Sequence, residues 1–290
     1  SAGYRIRLPI PSRKKPDSRI KDFRKFPQTM LKTRLIPVLY IKNGLIVRSE
    51  GFSYHQNIGN VVNEAHRYNE WGIDELIYID ISREKYYDLR RDDHNVKSYN
   101  SIGNIIDEIA KVCFMPLTFG GGIRTIDDVS YRIENGADKI TLNTGAFENP
   151  KLITQAAEKY GSQATVISID YKIIDDQPVV FTNFGQINTG KSVFKWIKEC
   201  EDLGAGEIFL NSIDRDGRAN GYDIETIGKV VTSTKLPVIA CGGAGELNDF
   251  VDLAKKVPVS GIAAGNIFHF TELSYPRAKT LLKKEKLNFR

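Results

Sequence analysis

Two pairs of glycine-bearing turns carry the plainest chemistry in this chain. Gly120-Gly121-Gly122 closes one apolar run and Asn143-Thr144 closes the next, while Gly242-Gly243 and Gly265-Asn266 close two later ones. Glycines at strand ends let backbone N–H groups approach an anion, and a following helix N-terminus adds a favourable dipole. Gly121, Gly122, Asn143 and Thr144 therefore form one candidate phosphate site. Gly242, Gly243, Gly265 and Asn266 form a second. On opposite sides of one opening, the two would hold the two ends of a bisphosphate. Tight strand-to-helix turns need glycine for geometry alone, so the symmetric pairing, not any single turn, points to phosphate. Tyr40 ends a further apolar run. A phenol titrates near pKa ~10, so at neutral pH it donates a hydrogen bond and is a poor base.

Eight β-rich apolar runs position these residues: 35–41, 75–81, 116–121, 139–144, 164–171, 207–213, 237–243 and 261–268. Helix-like stretches separate them. Strands alternating with helices predict a parallel sheet with crossover helices, and eight such units predict an α/β fold, one closed (βα)8 barrel. An internal repeat agrees. Trp71-Gly-Ile-Asp-Glu75 resembles Leu203-Gly-Ala-Gly-Glu207, and Pro116-Leu-Thr-Phe-Gly-Gly-Gly resembles Pro237-Val-Ile-Ala-Cys-Gly-Gly. The first half carries an extra, highly charged stretch with interleaved tyrosines near 82–100. It is expected as a loop on the C-terminal face of the barrel, either solvated or touching a substrate or partner.

The chain has 290 residues and a formal net charge of +5. That charge is uneven. Residues 1–29 hold nine Lys/Arg against two Asp, leaving 32 basic and 34 acidic residues in the rest. The body is not basic, so its charge gives no argument for nucleic acid. Pro9, Pro11, Pro16 and Pro27 break any period in that leader. Residues 1–29 are expected to stand outside the folded body, as upstream sequence or a basic arm, with the barrel spanning 30–290. No apolar run is long enough for a membrane span. Three scattered cysteines, with no CxxC, indicate no metal site and a reducing cytoplasm.

Specific motifs narrow the family. They include Leu35-Ile-Pro-Val-Leu-Tyr40-Ile-Lys42-Asn-Gly44, Gly72-Ile-Asp-Glu-Leu, Phe119-Gly-Gly-Gly-Ile, Gly136-Ala-Asp-Lys-Ile, Tyr160-Gly-Ser-Gln-Ala and Ser212-Ile-Asp-Arg-Asp-Gly. From Met30 to about Leu282 the chain resembles the cyclase subunit of imidazole glycerol phosphate synthase rather than its sister isomerase. The resemblance implies a phosphorylated small-molecule substrate and no cofactor. It implies a glutaminase subunit docked on the N-terminal face, with Asp138 and Gln163 at contact positions. It further implies that ammonia passes through the barrel past four gating charges, matched here by Arg34, Glu75, Lys139 and Glu207. The family uses two aspartates as an acid/base pair. Asp170 matches the second; Tyr40 stands where the first belongs. Lys42 is kept, Arg48 replaces a mobile-loop lysine, and Asp216 falls in the loop after strand six.

Loss of one carboxylate leaves three expectations open. The first is a diverged, ammonia-conducting barrel in an amidotransferase complex that supplies nitrogen for acetamidino surface sugars, with a third sugar-modifying protein finishing the transfer. The second is an active cyclase/lyase of histidine biosynthesis. The third is a non-catalytic scaffold that activates a glutaminase.

Overall fold

The computed structural model describes residues 32–83, 87, 99, 101–270 and 273–290. The leader over 1–29 and most of the charged insert lie outside the described residues. Eight parallel strands close on themselves: β1 (Arg34–Lys42), β4 (Leu76–Asp80), β5 (Leu117–Gly120), β6 (Lys139–Leu142), β7 (Thr165–Ile174), β10 (Glu207–Ser212), β11 (Val238–Cys241) and β12 (Gly261–Ala264). Pairing of β10 with β7 completes the ring. The helices wrap outside: α1 (Val61–Trp71), α2 (Ile102–Ala110), α3 (Ile126–Glu134), α4 (Thr144–Glu148), α5 (Lys151–Tyr160), α6 (Val193–Asp202), α7 (Ile224–Ser233), α8 (Leu247–Lys256), α9 (Ile267–Phe270) and α10 (Ser274–Lys284). This is the expected (βα)8 barrel.

Two antiparallel hairpins were not anticipated. The turn Asn43-Gly44 leads β1 into β2 (Leu45–Glu50) and β3 (Tyr54–Asn60), and Asp175-Asp176 leads β7 into β8 (Gln177–Thr182) and β9 (Ile187–Ser192). All four turn residues have positive φ, 49°, 75°, 48° and 60°. That is the two-residue hairpin geometry for which Asn-Gly is a strong local signal. The hairpins sit at equivalent places in the two halves, so the repeat extends to them. The expected last strand is also corrected. It stops at Ala264, and Ile267–Phe270 is helical, because Gly265-Asn266 turns the chain.

Period-two alternation sorts each barrel strand. Along β1, Ile36, Val38 and Tyr40 join a small cluster inside the barrel, whereas Leu35, Leu39 and Ile41 join the large layer under the helices. Val166, Phe209, Ile239 and Ala263 share the inner cluster. By the same alternation Arg34, Ser168, Asp170, Glu207 and Asn211 face inward. The lumen is therefore layered: charge at the floor, aliphatic and aromatic groups in the middle, polar groups at the mouth.

Candidate active site and ammonia gate

At the floor, the four expected gate residues meet. Arg34 Nη1 lies 2.5 Å from Glu75 Oε2, and Arg34 Nη2 donates to Glu207 Oε1. Lys139 Nζ bridges the same two carboxylates at 3.2 and 3.1 Å. Thr118 Oγ1 adds a 3.0 Å bond to Glu75, a member the sequence reading missed. The result is a closed ring of alternating sign. Burial opposes the charge of Arg34, but Glu207 and Glu75 outweigh it and hold the guanidinium pKa above its ordinary value. Each charge needs the others, since stripping one partner from a buried pair costs about 3–5 kcal/mol.

Asp138 and Gln163 lie exposed at the same end of the barrel. Asp138 Oδ2 also accepts the Leu117 N–H at 2.8 Å, as Asp74 accepts the Leu35 N–H at 2.8 Å. These aspartates fix the strand starts that aim Thr118 and Arg34 into the ring.

At the mouth, Tyr40 is 7% exposed and its hydroxyl accepts from Asn211 Nδ2 at 3.4 Å. Burial, helped by Cys241, Asp216 and Asp170, pushes the phenol well above its usual pKa, so it stays neutral. Asp170 is buried opposite and accepts from Asn143 Nδ2 at 2.6 Å. Burial raises its carboxyl to about 7; the Asn143 and Asn211 hydrogen bonds pull back, and Asp216 pushes further up. A buried carboxyl titrating near neutrality suits general acid/base work. Asn211, not singled out in the sequence, links the two positions.

A pocket of about 240 Å³ opens beside Tyr40, lined among others by Arg48, Asp216, Gly242, Gly243, Gly265 and Asn266. This is the second-half glycine turn expected to bind phosphate, with the β2–β3 hairpin folded over it. Asn266 Nδ2 donates to Ser49 O at 2.7 Å, and Ser49 Oγ donates to Asp216 Oδ2 at 2.8 Å. Burial raises the Asp216 carboxyl while Ser49 opposes. Arg48 reaches Glu50 at 3.2 Å and lies 6.0 Å above the Tyr54 ring. Lys42 stands exposed at the end of β1, where its charge adds to the effect of burial in lowering the pKa of His55.

The first-half turn is built alike. Gly121 and Gly122 have φ of 96° and 64°, and a Cβ on Gly121 would stand 1.9 Å from Asp80 O. Close chain approach alone demands glycine there. The Thr144 hydroxyl accepts the Asn183 N–H at 2.9 Å, so Thr144, like Asn143 and Asn266, spends its side chain on loops and the acid. The backbone N–H groups of these turns are the groups an anion would meet. Four residues of the 82–100 insert are described, and its two tyrosines among them are buried: Tyr87 donates to Asp80 Oδ2 at 2.7 Å, and Tyr87 and Tyr99 are each 5% exposed. Tyr87 and Tyr99 both pack beside Gly44.

A family model described as "Histidine biosynthesis protein" matches residues 34–274. The imidazole glycerol phosphate synthase subunit HisF of Sulfurisphaera tokodaii is 41% identical over 261 residues, 90% of this chain and 100% of that relative. The same subunit of Campylobacter concisus is 42% identical over 250 residues, covering 86% of this chain and 94% of the relative. The chain belongs to the HisF family. In this HisF-type barrel the family match spans every strand from β1 to β12. Among the described residues, no group of three or more His, Cys, Asp or Glu is placed to hold a metal, and no helix is long and apolar enough to cross a membrane.

Proposed function

We propose that this HisF-type chain is the ammonia-conducting barrel of a glutamine amidotransferase complex, with its cyclase chemistry impaired by Tyr40. The observation that carries this reading is the closed ring of Arg34, Glu75, Lys139 and Glu207 beneath an apolar lumen. A glutaminase on the N-terminal face, beside Asp138 and Gln163, releases ammonia at the ring. Lys139 is the most exposed member, at 20%, and its bonds run from 3.1 to 3.4 Å. It is the group whose displacement opens the floor. Neutral ammonia then crosses Ile36, Val38, Val166 and Phe209, where an ammonium ion would incur a large desolvation cost.

At the mouth the two anion turns hold a phosphorylated acceptor. Asp170 supplies the proton-transferring group. Tyr40, neutral and bulky, offers only a hydrogen bond where the family pattern places a second carboxylate. A barrel that keeps the gate and docking face but not the catalytic pair fits nitrogen delivery to an acetamidino surface sugar, finished by a third protein in the cytoplasm. The test is to mix the chain with a purified glutaminase subunit from the same organism. Complex formation and glutamine-dependent release of ammonia at the barrel mouth support the reading; a chain that leaves glutamine hydrolysis unchanged refutes it.

A second reading is an active cyclase/lyase of histidine biosynthesis. It is favoured by Asp216, a raised carboxyl lining the same pocket as Tyr40, which would serve as the second acid/base partner of Asp170.

A further inference from the structure

We propose that Arg132 is a positioning residue for an anion held at the Gly121–Gly122 turn, an inference that rests on the phosphate-site reading given above. Arg132 lies on α3 and is 6% exposed. Its Nη2 donates to Gly121 O at 2.8 Å and its Nη1 to Asp128 O at 3.1 Å. Its Nε is buried with no partner. No carboxylate forms an ion pair with it among the described residues. Asp128 and Asp80 act on it only through space: Asp128 Oδ2 accepts the Thr125 N–H at 2.9 Å, and the Asp80 oxygens are engaged by the Ser82 N–H at 2.9 Å and the Tyr87 hydroxyl at 2.7 Å. A guanidinium stripped of water and left without a direct ion pair is unfavourable. An apolar side chain of similar volume at such a site is often neutral or stabilising. A role beyond packing is expected of such an arginine.

The location says what that role is. Arg132 Nη2 lies 3.7 Å from where a Cβ on Gly122 would stand, directly behind the turn. In a trans peptide the carbonyl of one residue and the N–H of the next point in opposite directions. Pulling the Gly121 carbonyl toward α3 thus turns the Gly122 N–H away from Arg132. That N–H takes no backbone partner among the described residues. Arg132 fixes a donor and places behind it a positive charge that has no direct ion pair among the described residues, an arrangement matched to an anion on the far side. The glycine turn across the mouth has no such support: Arg215, beside Gly243, is only part-buried and donates to Gly221 O at 2.9 Å.

The experiment is a titration of the full chain with inorganic phosphate, followed at the backbone amides of Gly122 and Gly243 by nuclear magnetic resonance. In the wild-type chain both amides shift. In Arg132→Met the apparent Kd at Gly122 weakens about tenfold, equivalent to about 1.4 kcal/mol, while the Kd at Gly243 is unchanged. Arg132→Lys, which keeps the charge but not the two-pronged grip, weakens Gly122 less. Arg132→Gln provides a polar substitute of similar length should the methionine variant fold poorly. A purely structural arginine would lower the melting temperature and leave both phosphate affinities alone; that result, or equal weakening at both amides, overturns the proposal. Failure of either amide to shift in the wild-type chain overturns the phosphate-site reading itself. A normal wild-type response with an unaltered Gly122 in the variants overturns only the role given to Arg132.

Discussion

Asp170 should destabilise the fold it serves, and by an amount that depends on pH. Its carboxyl titrates at about 7 in the folded chain against a model-peptide value of 3.8. The folded state therefore holds the proton more tightly than the unfolded state. Between those two values the native protein binds more protons, so stability falls as pH rises through that window. Below about 3.8 no penalty exists; above about 7 it is complete. A shift of roughly three units at about 1.36 kcal/mol each gives a full penalty of about 4 kcal/mol. Asp170→Asn removes the charge and keeps an oxygen to accept from Asn143 Nδ2. The variant is expected to be more stable than wild type by about 2–4 kcal/mol at pH 8 and nearly equal to it at pH 4. Urea unfolding at a series of pH values measures this directly. Asp80 also has a raised carboxyl, but it acts in both proteins and cancels in the difference; Asp216, which repels Asp170, is relieved by the substitution and adds to the stabilisation at high pH. A variant less stable at pH 8, or a difference independent of pH, would refute the account of the Asp170 environment.

Other expectations follow from the same contacts. Glu75→Gln leaves Arg34 and Lys139 short of a counter-charge; it should lower stability by about 3–5 kcal/mol in chemical denaturation and uncouple glutamine hydrolysis from ammonia delivery. Asn143→Ala removes a hydrogen bond that holds the Asp170 carboxyl down, so a carboxyl titration followed by carbon-13 resonance should move further upward; an unchanged or lower midpoint would contradict the 2.6 Å contact. Gly121→Ala sets a Cβ against Asp80 O at positive φ and should leave little folded protein on expression, whereas Gly72→Ala, with open space around it, should be strained but folded. Tyr40→Asp should gain cyclase turnover in a diverged barrel and change little in an enzyme already active.

The barrel was legible because alternation and repetition are written along the chain. The pattern of β1 alone sends Arg34 and Tyr40 to opposite ends of one inward face. The four floor charges were named through the family resemblance alone; the ring shows that Arg34, Glu75, Lys139 and Glu207 do meet, while the alternation of the strands explains why they face inward. The hairpins were missed although Asn43-Gly44 carries a direct signal, because the apolar run of β1 was read as ending the unit. The links that tune Asp170 were not legible. Asn143 follows β6 and Asn211 lies in β10, and only closure of the ring brings them to one carboxylate. Nor does sequence show that Asn266 and Asp216 hold the β2–β3 hairpin through Ser49, since the partners lie 217 and 167 residues apart.

The central claim is that Tyr40 leaves the mouth unable to carry out the family's ring closure and bond cleavage while the conduit remains. The most direct test is cyclisation of the phosphoribulosyl formimino substrate by the purified chain with excess ammonium salt and no partner. Ammonium bypasses the glutaminase and interrogates the mouth alone. The account predicts no turnover from a folded protein. Turnover in the ordinary enzymatic range of about 1–10³ per second would contradict it and place the chain among active cyclases.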